Sequence, residues 1–166
     1  MEQIAAECHM ATNAIYYHFG SKEELLAGAV EQVAREIEEV LSDEGRPRAS
    51  LDLSVSAIFS WVQMHPEKAR AFFLWSLGAS PDIARLRSDF VDRRVRGLGR
   101  FVARSPSHTS LDLGLDDDLA ARVAISTAMS TPIAWLADDI LPPDTSECEV
   151  AAAVTTTMTR LLGHSR

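Results

Sequence analysis

The chain has 166 residues, 46% of them hydrophobic, which is enough for one compact core or for a small head joined to a larger body. Its formal charge of −8 excludes a body-wide grip on nucleic acid, because phosphate binding relies on lysine and arginine to release counterions, so any such contact must be confined to a local surface. No charged-then-apolar leader is visible, apolar runs such as Ala71–Leu77 fall short of the roughly 20 residues of a membrane span, and Cys8 and Cys148 form no C-x-x-C pair; a cytoplasmic protein with reduced thiols and no membrane contact is expected.

Apolar residues recur every three or four positions rather than every second one, so the chain is expected to be all-α. Residues 3–25, QIAAECHMATNAIYYHFGSKEEL, read as a short helix, a tight turn, a second short helix over Thr12–His18 and the start of a long one. That order is helix-turn-helix. The second short helix offers Thr12 and Asn13 at its start and Tyr16, Tyr17 and His18 at its end. Asparagine can pair with adenine through two hydrogen bonds, and tyrosine or histidine can reach phosphate oxygens.

The long helix, Ser21–Leu41, has an apolar stripe of Leu26, Val30, Val33, Ile37 and Val40 opposite Glu31, Arg35, Glu38 and Glu39. Ser21 with Glu24 forms a capping-box pattern at its start, and Asp43–Arg48, containing Gly45 and Pro47, ends it. Helices are then expected over Leu51–Met64, Glu67–Leu77 (stopped by Gly78), Asp82–Arg104 (stopped by Ser105-Pro106) and Asp117–Ile140 (stopped by Pro142-Pro143). Pro132 implies a kink in the last of these. A final helix starts at Ser146, where Glu149 completes a second capping box, and runs to Leu162 before Gly163. The boundary between head and body falls inside the first long helix, near Gly28–Val33, giving a head of residues 1–30 and a body of 31–166.

Ile4, Ala5, Ile15, Tyr16, His18, Phe19, Ser21, Lys22 and Leu25 stand in the register of a known signature. In that signature an I-A…A-G-V-S turn leads into a helix ending L-Y-x-H-F, followed by x-S-K-E-x-L. The segment therefore resembles the DNA-binding head of the tetracycline-repressor (TetR) family, and the likeness covers 3–25 only. It implies that Thr12, Asn13 and Ala14 face bases while Tyr16, Tyr17, His18 and Lys22 hold the DNA backbone, Lys22 at the positive end of the long helix. It also implies a homodimer on a palindromic operator, a helical body that binds a small apolar or amphipathic effector, and release of a repressor by that effector.

Three departures bear on this expectation. His9 stands where the family has glycine, at a turn that favours positive φ. Ala11 stands where the family has serine, which removes a cap worth about 1 kcal/mol unless Thr12 substitutes. The family also carries one more helix ahead of the segment that begins here at Met1, so the head is read as lacking its first helix. Residues 1–45 are strongly acidic, with only Lys22 and Arg35 against ten acids, in keeping with that reading. The alternative is a ligand-binding or dimerisation module that no longer binds DNA.

In the body, aromatic residues at helical spacing are first of all core; Trp61, Phe90 and Trp135 are the candidates for an effector cavity. Seven arginines lie between Arg85 and Arg104. Asp89 precedes Arg93 by four and Asp92 precedes Arg96 by four, the order of a solvated, internally salt-bridged helix face. The small residues Ala151, Ala152, Ala153, Val154 and Thr157 suit close helix approach across a dimer axis. No Gly-rich phosphate loop, H-E-x-x-H or G-x-S-x-G occurs, and Cys8, His9 and His18 lack metal-ligand spacing, so neither an enzyme nor a cofactor or metal is expected.

Overall fold

A computed structural model describes residues 1–42, 51–103, 116–137, 141–142 and 144–162, with the backbone alone for 101–103. Helices account for all its regular structure: α1 (Glu2–Glu7), α2 (Thr12–Phe19), α3 (Lys22–Leu41), α4 (Leu51–Met64), α5 (Pro66–Arg70), α6 (Pro81–Ala103), α7 (Asp117–Leu136) and α8 (Glu147–Leu161). The expected stops at Asp43–Arg48, Ser105-Pro106, Pro143 and Gly163 lie outside the described residues, as do Arg104 and the stretch 138–140 that was to end α7.

The local signals act as their chemistry requires. Ser146 caps α8 in a complete box: its hydroxyl accepts from the Glu149 amide, and the Glu149 carboxylate accepts from the Ser146 amide at 2.9 Å. At α3 only half the box forms. Ser21 accepts from the Glu24 amide at 3.0 Å, while the Ser21 amide turns to the Phe19 carbonyl and the Glu24 carboxylate lies beside Gly20 at φ 55°. Pro132 sits inside α7 without ending it. Thr131 donates to the Thr127 carbonyl at 2.8 Å one turn back, keeping a local bond where proline supplies no amide.

The expected helix over 67–77 changes pitch midway. After α5 the chain forms a π turn, Ala71–Trp75, closed by the Ser76 amide on the Ala71 carbonyl at 3.1 Å. Phe72 and Phe73 are both buried there, rings edge to face at 5.0 Å, and Trp75 is exposed. The Phe72 carbonyl is bonded by Ser76 Oγ and by the Arg87 guanidinium, which also donates to Ser76 Oγ at 2.8 Å. Burial pushes the Arg87 pKa below its usual value.

Two apolar clusters form the core. One gathers Val30, Val33, Ile37, Trp61, Phe72, Phe73, Ile83 and Phe90 from α3 to α6; the other gathers Val55, Phe59, Val95, Leu98, Ala124, Val154 and Met158 from α4, α6, α7 and α8. Val91 and Trp135 pack against both and join them. α7 is long and apolar enough to cross a membrane by length and composition, with a mean hydropathy of 1.2, although the uninterrupted apolar runs of the sequence are shorter. It opens on Asp117 and Asp118, carries Arg122, and packs on α6 and α8 as a body helix.

Candidate nucleic-acid interface and body cavity

The head hangs on α3: among the described residues α1 packs only on α2, and α2 only on α1 and α3. Ala5 and Ile15 are its buried anchors, at 2% and 3% exposure, and they fix which way α2 faces. The turn between α1 and α2 places His9 at φ 54°, the left-handed conformation expected of the position where the family has glycine. Ala11 is the N-cap of α2 and offers no side-chain acceptor. Thr12 follows as the first helical residue and does not substitute for it, so the cap is lost.

With Ile15 inward, Asn13, Tyr16, Tyr17 and His18 are exposed, Tyr17 at 87%; Thr12 and Ala14 are half-buried beside them. The Tyr17 and His18 rings meet edge to face at 5.6 Å. Lys22 is exposed in the first turn of α3, with no ion pair or hydrogen bond among the described residues. α2 spans about 12 Å at 1.5 Å per residue, a length that fits along the major groove of a duplex. The head thus exposes hydrogen-bonding groups along α2 and a free ammonium in the first turn of α3.

The body holds a partly open cavity of about 380 Å³ among α3, α4, the π turn, α6, α7 and α8. Ile58, Phe73, Phe90, Leu98 and Met129 give it an apolar wall; Arg93, Arg94 and Arg100 give it a cationic edge. Of the three residues expected at an effector cavity, Phe90 lines this one. Trp61 is instead buried against His65, ring centroids 5.3 Å apart, and Trp135 packs on Phe59 at 5.7 Å. Neither lines the cavity.

The arginine-rich face of α6 differs from the expected solvated ladder. Arg93 donates to Glu38 of α3 at 2.8 Å rather than to Asp89, and Asp92 accepts from Arg122 of α7 at 3.1 Å rather than from Arg96. These two pairs are interhelical because α6 lies between α3 and α7, whereas Arg85, near the start of α6, pairs with Asp82 on its own helix. Arg94, counted in the sequence with that solvated face, is instead half-buried beside the cavity. Its neighbours one turn away are Phe90, Val91, Gly97 and Leu98, so it is an arginine inside an apolar stripe, and that pattern was the available signal.

Head geometry and body fold together define an all-helical protein with a helix-turn-helix head on a helical body. Residues 1–29 match the family model of bacterial regulatory proteins, tetR family. Over the whole chain the fold is similar to that of a TetR-like transcriptional regulator from Rhodococcus sp. RHA1, with a TM-score of 0.71, 18% identity, and coverage of 96% of this chain and 81% of that one. No curated protein matches the sequence. Residues 1–29 therefore carry the tetR-family DNA-binding segment, and the rest of the chain shares the fold of a TetR-like regulator. The matched segment marks the chain as a DNA-binding transcriptional regulator rather than an enzyme.

Proposed function

We propose that this regulator is a cytoplasmic repressor that reads a palindromic operator through α2 and leaves it when a small apolar or amphipathic effector enters the body. The head is residues 1–30 and the body 31–166. The observation that carries the reading is the exposure of Asn13, Tyr16, Tyr17 and His18 on α2, followed four residues on by the exposed Lys22. Thr12, Asn13 and Ala14 meet base edges; Tyr16, Tyr17, His18 and Lys22 hold phosphates. The acidic remainder of the head confines DNA to this face, since every other approach is repulsive.

Dimerisation uses α7 and α8. On α7 Leu119 and Val123 are exposed although the helix is apolar, and on α8 Ala152, Ala153, Thr156 and Thr157 are exposed and small. Ala151 and Val154, expected on that face from the sequence, are buried in the protomer's own core and leave it narrower. A twofold pairing of these helices sets two α2 helices on one side of the dimer, as a palindrome demands.

The effector acts through α3, because Ile37 and Leu41 line the cavity on the same helix that carries the head. A ligand can shift the equilibrium only by its preference for one arrangement of α3 over the other.

Selection from random duplexes, followed by titration of the best palindrome at two salt concentrations, tests the reading. Tyr16→Ala and Lys22→Ala should weaken binding on every sequence, and Lys22→Ala should lower the salt slope by about 1. Asn13→Ala should instead relax discrimination at one base position by about 1–3 kcal/mol. Recovery of no palindrome, or binding untouched by all three substitutions, would overturn the assignment of α2.

A further inference from the structure

The cavity is apolar over most of its wall and cationic at one edge, with Arg93, Arg94 and Arg100 and no acid among its described lining residues. One carboxylate lies close by, Glu38 of α3. It is taken by Arg93 at 2.8 Å and stands 3.8 Å from Arg94, outside hydrogen-bonding distance. Arg94 is therefore incompletely served. Its Nε is buried without a hydrogen-bond partner among the described residues, and its guanidinium lies over the Phe90 ring at 5.8 Å, at the seam between apolar wall and charged edge. Burial pushes its pKa below the usual arginine value, with Glu38 opposing that shift only in part. A guanidinium has five donors in a planar fork that matches a carboxylate in two-point contact. A half-buried one with unused donors beside a cavity of ligand size is a site that lacks its anion.

We propose that the effector is an organic acid, an apolar chain or ring system ending in a carboxylate, whose body lies against Ile58, Phe90 and Met129 and whose carboxylate pairs with Arg94. This rests on the effector reading given above and adds the charge to it. Arg93 and Arg100 make the edge electropositive and Arg94 makes the directed contact. Glu38 is the internal anion with which the effector competes.

Octanoate, 1-octanol and octylamine carry one chain with an anionic, a neutral and a cationic end at pH 7.5. Calorimetric titration of the intact dimer should give octanoate an affinity about tenfold or more above octanol, and octylamine the weakest of the three. Arg94→Gln should bring octanoate down to the level of octanol and leave octanol unchanged. Glu38→Gln, which removes the competing carboxylate, should tighten octanoate several-fold without affecting octanol, and it keeps the test independent of how Arg94→Gln folds. Octanol binding as tightly as octanoate, or a carboxylate preference that survives Arg94→Gln in a variant with native circular dichroism, would overturn the proposal while the small-molecule cavity stands. If none of the three probes binds or raises the melting temperature, the effector reading itself fails and this inference with it.

Discussion

The head and the body of this regulator are built on opposite terms. In the body, Phe59, Phe72, Phe73 and Phe90 are all at or below 2% exposure, and six helices share two joined clusters. In the head, α1 and α2 bury little beyond Ala5 and Ile15, while Ile4, Met10, Tyr16 and Phe19 stay between 36% and 46% exposed. Helices this short are marginal on their own, since isolated segments under about 12 residues do not persist in water. The head therefore borrows its order from α3, whose other half is anchored in the body by Val30, Val33 and Ile37. A surface that must be read by DNA cannot also be spent on packing. With α2 as the proposed reading surface, the difference implies that recognition and stability are carried by different residues, which substitutions can separate.

The largest effect should come from the body. Phe59→Ala, at 1% exposure between α4 and the Trp135 ring, is expected to cost about 3–5 kcal/mol and to lower the melting temperature of the whole protein. A fall confined to one helix by hydrogen exchange would break the picture of a single cooperative body. Arg87→Met should cost less, about 1–3 kcal/mol, because it strips a charged donor from the Phe72 carbonyl and Ser76 hydroxyl that close the π turn. It too should register in global unfolding.

In the head the expected changes are local and in the opposite direction. His9→Gly should relieve a left-handed conformation worth roughly 1 kcal/mol, and Ala11→Ser should restore a cap worth about the same. Both should slow amide exchange across residues 1–20, which otherwise runs ahead of the body, and leave the melting temperature of the body nearly unchanged. Equal protection of head and body in the unsubstituted protein would contradict the comparison outright.

The smallest effect concerns the tie between α3 and α5. Lys68 Nζ meets both oxygens of Glu36, at 2.8 and 2.9 Å, and with Gln32 holds that carboxyl below the ordinary glutamate pKa. A pKa lowered by folding contributes stability above the unfolded value, lost as pH falls through the folded one. Glu36→Gln should therefore destabilise near neutrality, by less than about 1 kcal/mol given that Lys68 is half exposed, and the difference should vanish in acid. A pH-independent difference in chemical denaturation would assign the tie to packing instead.

What the sequence determined by itself is what depends on neighbours within a few residues. The bounds of α4 follow from its apolar spacing and Pro66, the Ser146 box from the residues three apart, and the register of α2 from Ile15 and the signature around it. The positive φ at His9 and the missing cap at Ala11 belong to the same class, because a turn or a cap is a contract among adjacent residues. Tertiary structure alone decided the partners. It sent Arg93 to Glu38 and Arg122 to Asp92, left the Ser21 box half closed, drew Trp61 and Trp135 into packing away from the cavity, and set Arg94 at the cavity edge. The reason is physical. A helical charge has acids at spacing four and others across an interface within similar reach, and which it meets depends on where a second helix lies, a distance that no periodicity along one helix encodes.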